Sequence, residues 1–110
     1  MDHQIGHSER HRKFILTFHI YPGADIDGEI KDQWMRNYTH SYFNMTHKYH
    51  HKIILEVAGH DHYADIRYHH SLDKKSYNLH NVVINAGITP TEFFHPGFTV
   101  FDIDATTMIP

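Results

Sequence analysis

Two hydrophobic rhythms run along the chain. Phe14-Ile-Leu-Thr-Phe-His-Ile20 is a short apolar run rich in β-branched and aromatic side chains, which predicts a buried strand. Tyr21-Pro22-Gly23 ends it, because proline has no N–H for a ladder and Pro-Gly favours a turn. The spacing then changes. Ile26, Ile30, Trp34, Tyr38, Tyr42, Met45 and Tyr49 recur every three or four residues, which predicts an apolar stripe down a helix of about six turns. Asp25 or Asp27 would cap its start. Its other face would carry Lys31, Asn37, His40, Asn44, His47 and His51, with basic residues crowding the negative end of the helix dipole. Ile53 to Ala58 predicts a second buried strand, stopped by Gly59. Ala64 to His70, Asn81 to Asn85 and Phe98 to Ile103 predict three more, with a polar turn over Ser71 to Leu79.

The order β, α, β, β, β, β predicts an α/β protein, with α+β as the alternative. The expected architecture is a partial β-sandwich of about five strands with one long helix on one face. Residues 14–110 are expected to form this unit, and residues 1–13 a polar, solvated segment. One helix covers one face of such a sheet. Apolar strands leave a second face in need of a cover, either another copy or a further part of a longer protein.

Composition narrows the function. At 110 residues, one domain is expected. No run approaches the roughly 20 apolar residues of a membrane-spanning helix, and no apolar signal segment is visible in Met1 to Lys13. A formal charge of −3 argues against nucleic-acid binding through phosphate neutralisation. The absence of cysteine excludes disulfides, thiolate nucleophiles and Cys-ligated zinc. Fourteen histidines are far more than ordinary usage, which draws attention to metal chemistry.

Three histidines have a spacing that such chemistry would use. His19 closes the first predicted strand, and His60 and His62 follow Gly59 at the end of the second. Sites in α/β proteins gather at the carboxyl ends of strands, so adjacent strands would bring His19 to the His60–His62 pair. The turn at Gly59 can aim His60 and His62 in different directions, so they need not share one ion. Neutral imidazole binds zinc, iron and manganese. By contrast, His47 and His51 lie opposite the apolar stripe and read as a solvated face. His50-His51 and His69-His70 are adjacent pairs that point apart. Asn37-Tyr-Thr39 and Asn44-Met-Thr46 match glycosylation sequons on the polar helix face. Glu56, inside an apolar strand, needs a polar partner or an exposed edge.

These motifs form an ordered series: Phe18-His19-Ile20-Tyr21-Pro22-Gly23, Trp34, Gly59-His60-Asp61-His62, Ile88-Thr89-Pro90 and Pro96-Gly97-Phe98. The series resembles the C-terminal part of acid sphingomyelinase-like phosphodiesterases, a branch of the calcineurin-like metallophosphoesterases. The resemblance covers about Phe14 to Asp104. It implies the C-terminal half of an αββα fold and phosphoester hydrolysis with two divalent ions, zinc foremost, with iron or manganese as alternatives. His19 and His60 would be ligands of one ion and His62 a ligand of the other. Asp61 stands where the family usually has Thr, Asp65 is one position later than the usual acidic residue, and Gly87 replaces Ser. Asp61, Asp65 and Thr89 are therefore candidates for supporting the metal or touching substrate. An extracellular or lysosomal setting is typical of the family.

The family's Asp-x-His, Gly-Asp-x-x-Asp and Asn-His elements have no counterpart in these residues. The bridging Asp and the leaving-group His belong to those elements. The expectation is thus a portion of a metal-dependent phosphodiesterase, inactive alone and completed by donors outside these residues, acting on a phosphoester. No catalytic residue of its own is expected. The alternatives are a non-catalytic module holding one zinc on three histidines, and a structural remnant that self-associates into a homo-oligomer.

Overall fold

The computed structural model describes residues 1–23, 32–70, 78–90 and 95–110, with the side chains of residues 70 and 78–80 left aside. In chain order the elements are α1 (Asp2–Gly6), β1 (Phe14–Thr17), α2 (Arg36–Tyr49), β2 (Ile53–Ala58), β3 (Asp65–His70) and β4 (Asn78–Ile84). The architecture is mixed α/β: two helices and one four-stranded sheet of order β1-β2-β4-β3 among the described residues. β1, β2 and β4 run parallel, and β3 is antiparallel to β4.

The strands' alternation decides which side chains meet the helix. Glu56 and Ala58 of β2 stand beside Val82 and Ile84 of β4 in register. That face packs on α2, in a core of Tyr21, Tyr42, Ala58, Val82 and Ile84 with Phe18, Trp34, Phe43 and Met45 against it. A second cluster joins Ile5, Leu16 and Ile53 to Phe14, Met45 and Tyr49. On the opposite face Ile15, Ile66 and Tyr68 are 42%, 56% and 53% exposed, while Leu55, in register with Ile15, is buried, so the side expected to lack a cover is open only in part. A depression of about 500 Å³ lies there, lined by Ile66, Val83 and Thr99 among others.

Several expectations change. The predicted strand over Phe98 to Ile103 is not formed. Phe98 and Val100 are 82% and 76% exposed, and strand propensity without a ladder partner makes no strand. The sheet therefore has four strands among the described residues instead of about five. The described helix is α2, about four turns, and not six. Ile26 and Ile30 of the stripe, with Asp25, Asp27 and Lys31, lie outside the described residues, as does most of the Ser71 to Leu79 turn. Trp34 precedes the helix, and Tyr38 is exposed. The buried face instead centres on Tyr42 and Thr46.

Residues 1–13 are not simply a solvated tail. Ile5 is 1% exposed, and the buried Lys52 ammonium donates to the Ile5 carbonyl at 2.9 Å and the Ser8 carbonyl at 3.2 Å. His3, His7 and His11 are nonetheless exposed, as expected. No helix among the described residues is long and apolar enough to cross a membrane.

Candidate metal centre

Because β1 and β2 are parallel neighbours, the segments leaving their carboxyl ends emerge side by side. The ladder continues past β1 through Phe18, whose N–H donates to Val57 O at 3.1 Å. Gly59 N–H then donates to His19 O at 2.9 Å, tying the two histidine-bearing turns together. Trp34 Nε1–H donates to Ile20 O at 3.0 Å and fixes the first turn from the helix side. Pro22 is fully buried at its tip.

At this joint His19 Nε2 stands 3.3 Å from His60 Nδ1, with ring centroids 5.1 Å apart at 76°. Both nitrogens bound to one zinc ion at 2.0–2.1 Å in tetrahedral geometry would lie about 3.3 Å apart. The observed spacing therefore matches a two-imidazole bite. Without an ion, the same spacing is a hydrogen bond in which one ring N–H donates to the other ring's lone pair. His60 is exposed, so the pair is open to solvent.

The second turn carries unusual backbone. His60 has φ 81° and His62 has φ 59°. Non-glycine residues in the left-handed region cost of order 1 kcal/mol each and persist where surrounding contacts over-determine them. Those contacts are present. Asp61 Oδ2 accepts from the Tyr63 hydroxyl at 3.2 Å and lies 3.6 Å from the Arg67 guanidinium. Arg67 Nε–H donates to Asp65 Oδ2 at 3.1 Å, and the guanidinium lies over the Tyr21 ring at 5.4 Å. Arg67 thereby links the turn after β2 to the turn after β1. Burial pushes the Tyr63 phenol up to about 12.

His62 faces a different neighbour. Gly87 N–H donates to His62 O at 3.3 Å, and a Cβ added at Gly87 would stand 2.9 Å from His62 Cγ and Nδ1. Gly87 is thus the residue that lets this ring approach. Among the described residues, no three His, Cys, Asp or Glu side chains are grouped to hold one ion. Of the three candidate ligands, His19 and His60 are brought together, and His62 stands outside their donor set.

The supporting candidates divide as well. The Asp61 carboxylate, expected beside the metal, faces Arg67 and Tyr63. Asp65 also accepts from Ile66 N–H at 2.8 Å, and Thr89 is exposed. Arg67 escaped the sequence reading. Its signal was strand alternation, which sets Asp65 and Arg67 on one face of β3 two residues apart.

Beneath the joint lies a buried polar network. Tyr42 OH donates to Glu56 Oε2, and His69 Nε2 lies 3.5 Å from the same oxygen. Thr46 Oγ1–H donates to Phe43 O at 3.2 Å, so at 3.3 Å it accepts from His69 Nδ1–H. In the neutral ring, His69 Nε2 then accepts from Tyr21 OH at 2.6 Å. Glu56, which the sequence left in search of a partner, is fully buried and paired. Desolvation first, and the Glu56 charge second, raise the Tyr21 and Tyr42 phenols well above the ordinary tyrosine range.

No model of a known protein family matches the chain, and no curated protein matches it either.

Proposed function

We propose that the chain supplies His19 and His60 to a divalent metal centre of a phosphoester hydrolase, in the manner of the sphingomyelinase-like phosphodiesterases its motif series resembles. The observation that carries this reading is the 3.3 Å approach of two imidazole nitrogens at the carboxyl ends of adjacent parallel strands. Two ring nitrogens leave positions for other ligands and for a phosphoryl oxygen. His62, packed beside Gly87, is assigned to a second ion, as the resemblance implies. Bound ions of zinc, iron or manganese would supply Lewis acidity and a hydroxide near neutral pH. The chain's own part is to hold and orient the imidazoles. Asp61, Tyr63 and Arg67 brace the turn that carries them. The bridging Asp and the leaving-group His have no matching motif in these 110 residues, so turnover requires donors from outside them.

Calorimetric titration of the full chain with zinc tests the ligand assignment. His19→Ala and His60→Ala are each expected to weaken the site by at least about tenfold, while His47→Ala leaves it unchanged. Wild-type affinity in the His19→Ala/His60→Ala double variant would overturn it. The chain alone is expected not to hydrolyse bis(4-nitrophenyl) phosphate. Turnover abolished by His60→Ala would instead mean that the catalytic set is complete within it.

A second reading has its own support. The exposed Ile15, Ile66 and Tyr68 on the open sheet face suit self-association. Sedimentation showing a concentration-dependent dimer, weakened by Ile66→Lys and indifferent to zinc, would favour it.

A further inference from the structure

The parallel strands give the molecule two poles. His19 and His60 occupy the carboxyl ends of β1 and β2, while Lys13 and Lys52 immediately precede their amino ends. At that second pole two pieces of chain are fastened together. Lys13 Nζ donates to His51 O at 2.6 Å, Phe14 N–H donates to Lys52 O at 2.8 Å, and Lys52 Nζ donates to Ser8 Oγ at 3.0 Å.

The charge gathered there has the opposite sign to the whole chain. Residues 1–13 and 47–52 hold five Lys and Arg against two acids, a formal +3 with imidazoles neutral, in a chain of formal charge −3. Arg10, Arg12, Lys13 and Lys48 are exposed. Of the acids, Asp2 pairs with Lys48 at 3.6 Å, and Glu9 is the other. The same segments hold six of the 14 histidines: His3, His7, His11, His47, His50 and His51. Imidazole gains its charge as pH falls through about 6.5, so acidification adds to a pole that is already positive. One observation reflects that field: partial burial, then the charges of His50, Lys52 and Lys13, hold the His51 imidazole below its usual range. The exposed His3 and His7 rings lie tilted at 36° with centroids 4.3 Å apart.

We propose that this pole docks on an anionic phospholipid surface and does so more strongly as pH falls, leaving the His19–His60 end facing water. The exposed cations project from two separate pieces, the 9–13 segment and the end of α2, and so form a cap over one end of the molecule. Tyr49, the one Phe, Tyr or Trp in residues 1–13 and 47–52, is half-buried beneath Lys48, so the cap offers no large aromatic platform of the kind that holds single-stranded nucleic acid. A cap of long cationic side chains fits the negative potential of a lipid surface, where each added cation strengthens adsorption by about fivefold.

The test is co-sedimentation of the full chain with vesicles of phosphatidylcholine alone and with about one third phosphatidylserine, at pH 7.5 and 5.5 in 0.1 M salt. Binding to the phosphatidylserine vesicles should rise by at least about tenfold at pH 5.5, as two or more imidazoles charge. It should fall in 0.5 M salt and be absent on phosphatidylcholine. Arg10→Glu/Arg12→Glu, both on exposed side chains, should reduce it by about tenfold or more. His7→Ala/His11→Ala should flatten the pH response, and His40→Gln on the exposed flank of α2 should change nothing. Equal binding to both vesicles overturns the proposal without any variant. So does wild-type binding by a folded Arg10→Glu/Arg12→Glu chain, or tighter binding to a heparin or oligonucleotide competitor than to the vesicles.

Discussion

The covered face of the sheet and the carboxyl-end rim both concentrate polar side chains, and they treat them in opposite ways. On the covered face Glu56, His69, Thr46 and the Tyr21 and Tyr42 hydroxyls are buried and bonded to one another. On the rim His19 and His60 meet in solvent, and His60 and His62 adopt left-handed backbone. A satisfied buried network stabilises one packing of helix on sheet, because breaking any member leaves the others desolvated and unpaired. An exposed pair held on strained turns contributes little to stability and remains available to a ligand. Abundance of histidine alone does not distinguish the two. His69 belongs to the first group and His60 to the second.

The largest effect should come from Glu56→Ala. It leaves the Tyr42 hydroxyl buried without its acceptor and should destabilise by about 3 kcal/mol or more in urea unfolding. His60→Ala should stay within about 0.5 kcal/mol. Equal losses at the two positions would erase the contrast. Next comes alkaline pH. The folded state raises the Tyr21 and Tyr42 phenols above the unfolded value near 10. Their contribution is fully present below pH 10 and is lost as pH rises above it, because the unfolded chain gives up those protons first. Urea midpoints between pH 9 and 11.5 should fall, with Tyr42→Phe flattening the decline.

Smaller effects probe the rim. His60→Gly should exceed His60→Ala in stability by about 1 kcal/mol, since both delete the imidazole and only glycine is at ease at φ 81°. Gly87→Ala should displace the His62 ring and cost about 1 kcal/mol. An unchanged His62 ring resonance in that variant would mean that the close approach is not maintained in solution. The smallest effect belongs to His51, whose lowered value means the unfolded chain takes up protons more readily just below pH 6.5. Stability should therefore decline slightly as pH falls through that range, and His51→Asn should remove that decline, read as the difference in urea midpoint between pH 7.5 and 5.5.

Much of the site was legible in the chain. A histidine at each of two strand ends, one before Tyr-Pro-Gly and one after Gly59, placed the candidate pair, because parallel neighbouring strands carry their carboxyl ends to the same edge. The orientation of His62 was not legible, since it depends on the left-handed turn and on the space above Gly87, twenty-five residues further along the chain. Arg67 was hidden for a similar reason. Its partners Asp61 and Tyr63 lie on a turn, and Tyr21 lies far along the chain.

Local pattern by itself determined the strand segments over β1 and β2, the helix through Tyr42 and Met45 and the polar demand of Glu56. Those depend on periodicity and composition within a few residues of each other. Only tertiary structure decided that Phe98 to Ile103 forms no strand, that Ile5 joins the core, that His69 pairs with the network, and that two histidines converge while the third turns away. Each of those outcomes rests on a contact between segments distant in sequence, and a contact of that kind exists only once the chain has closed around it.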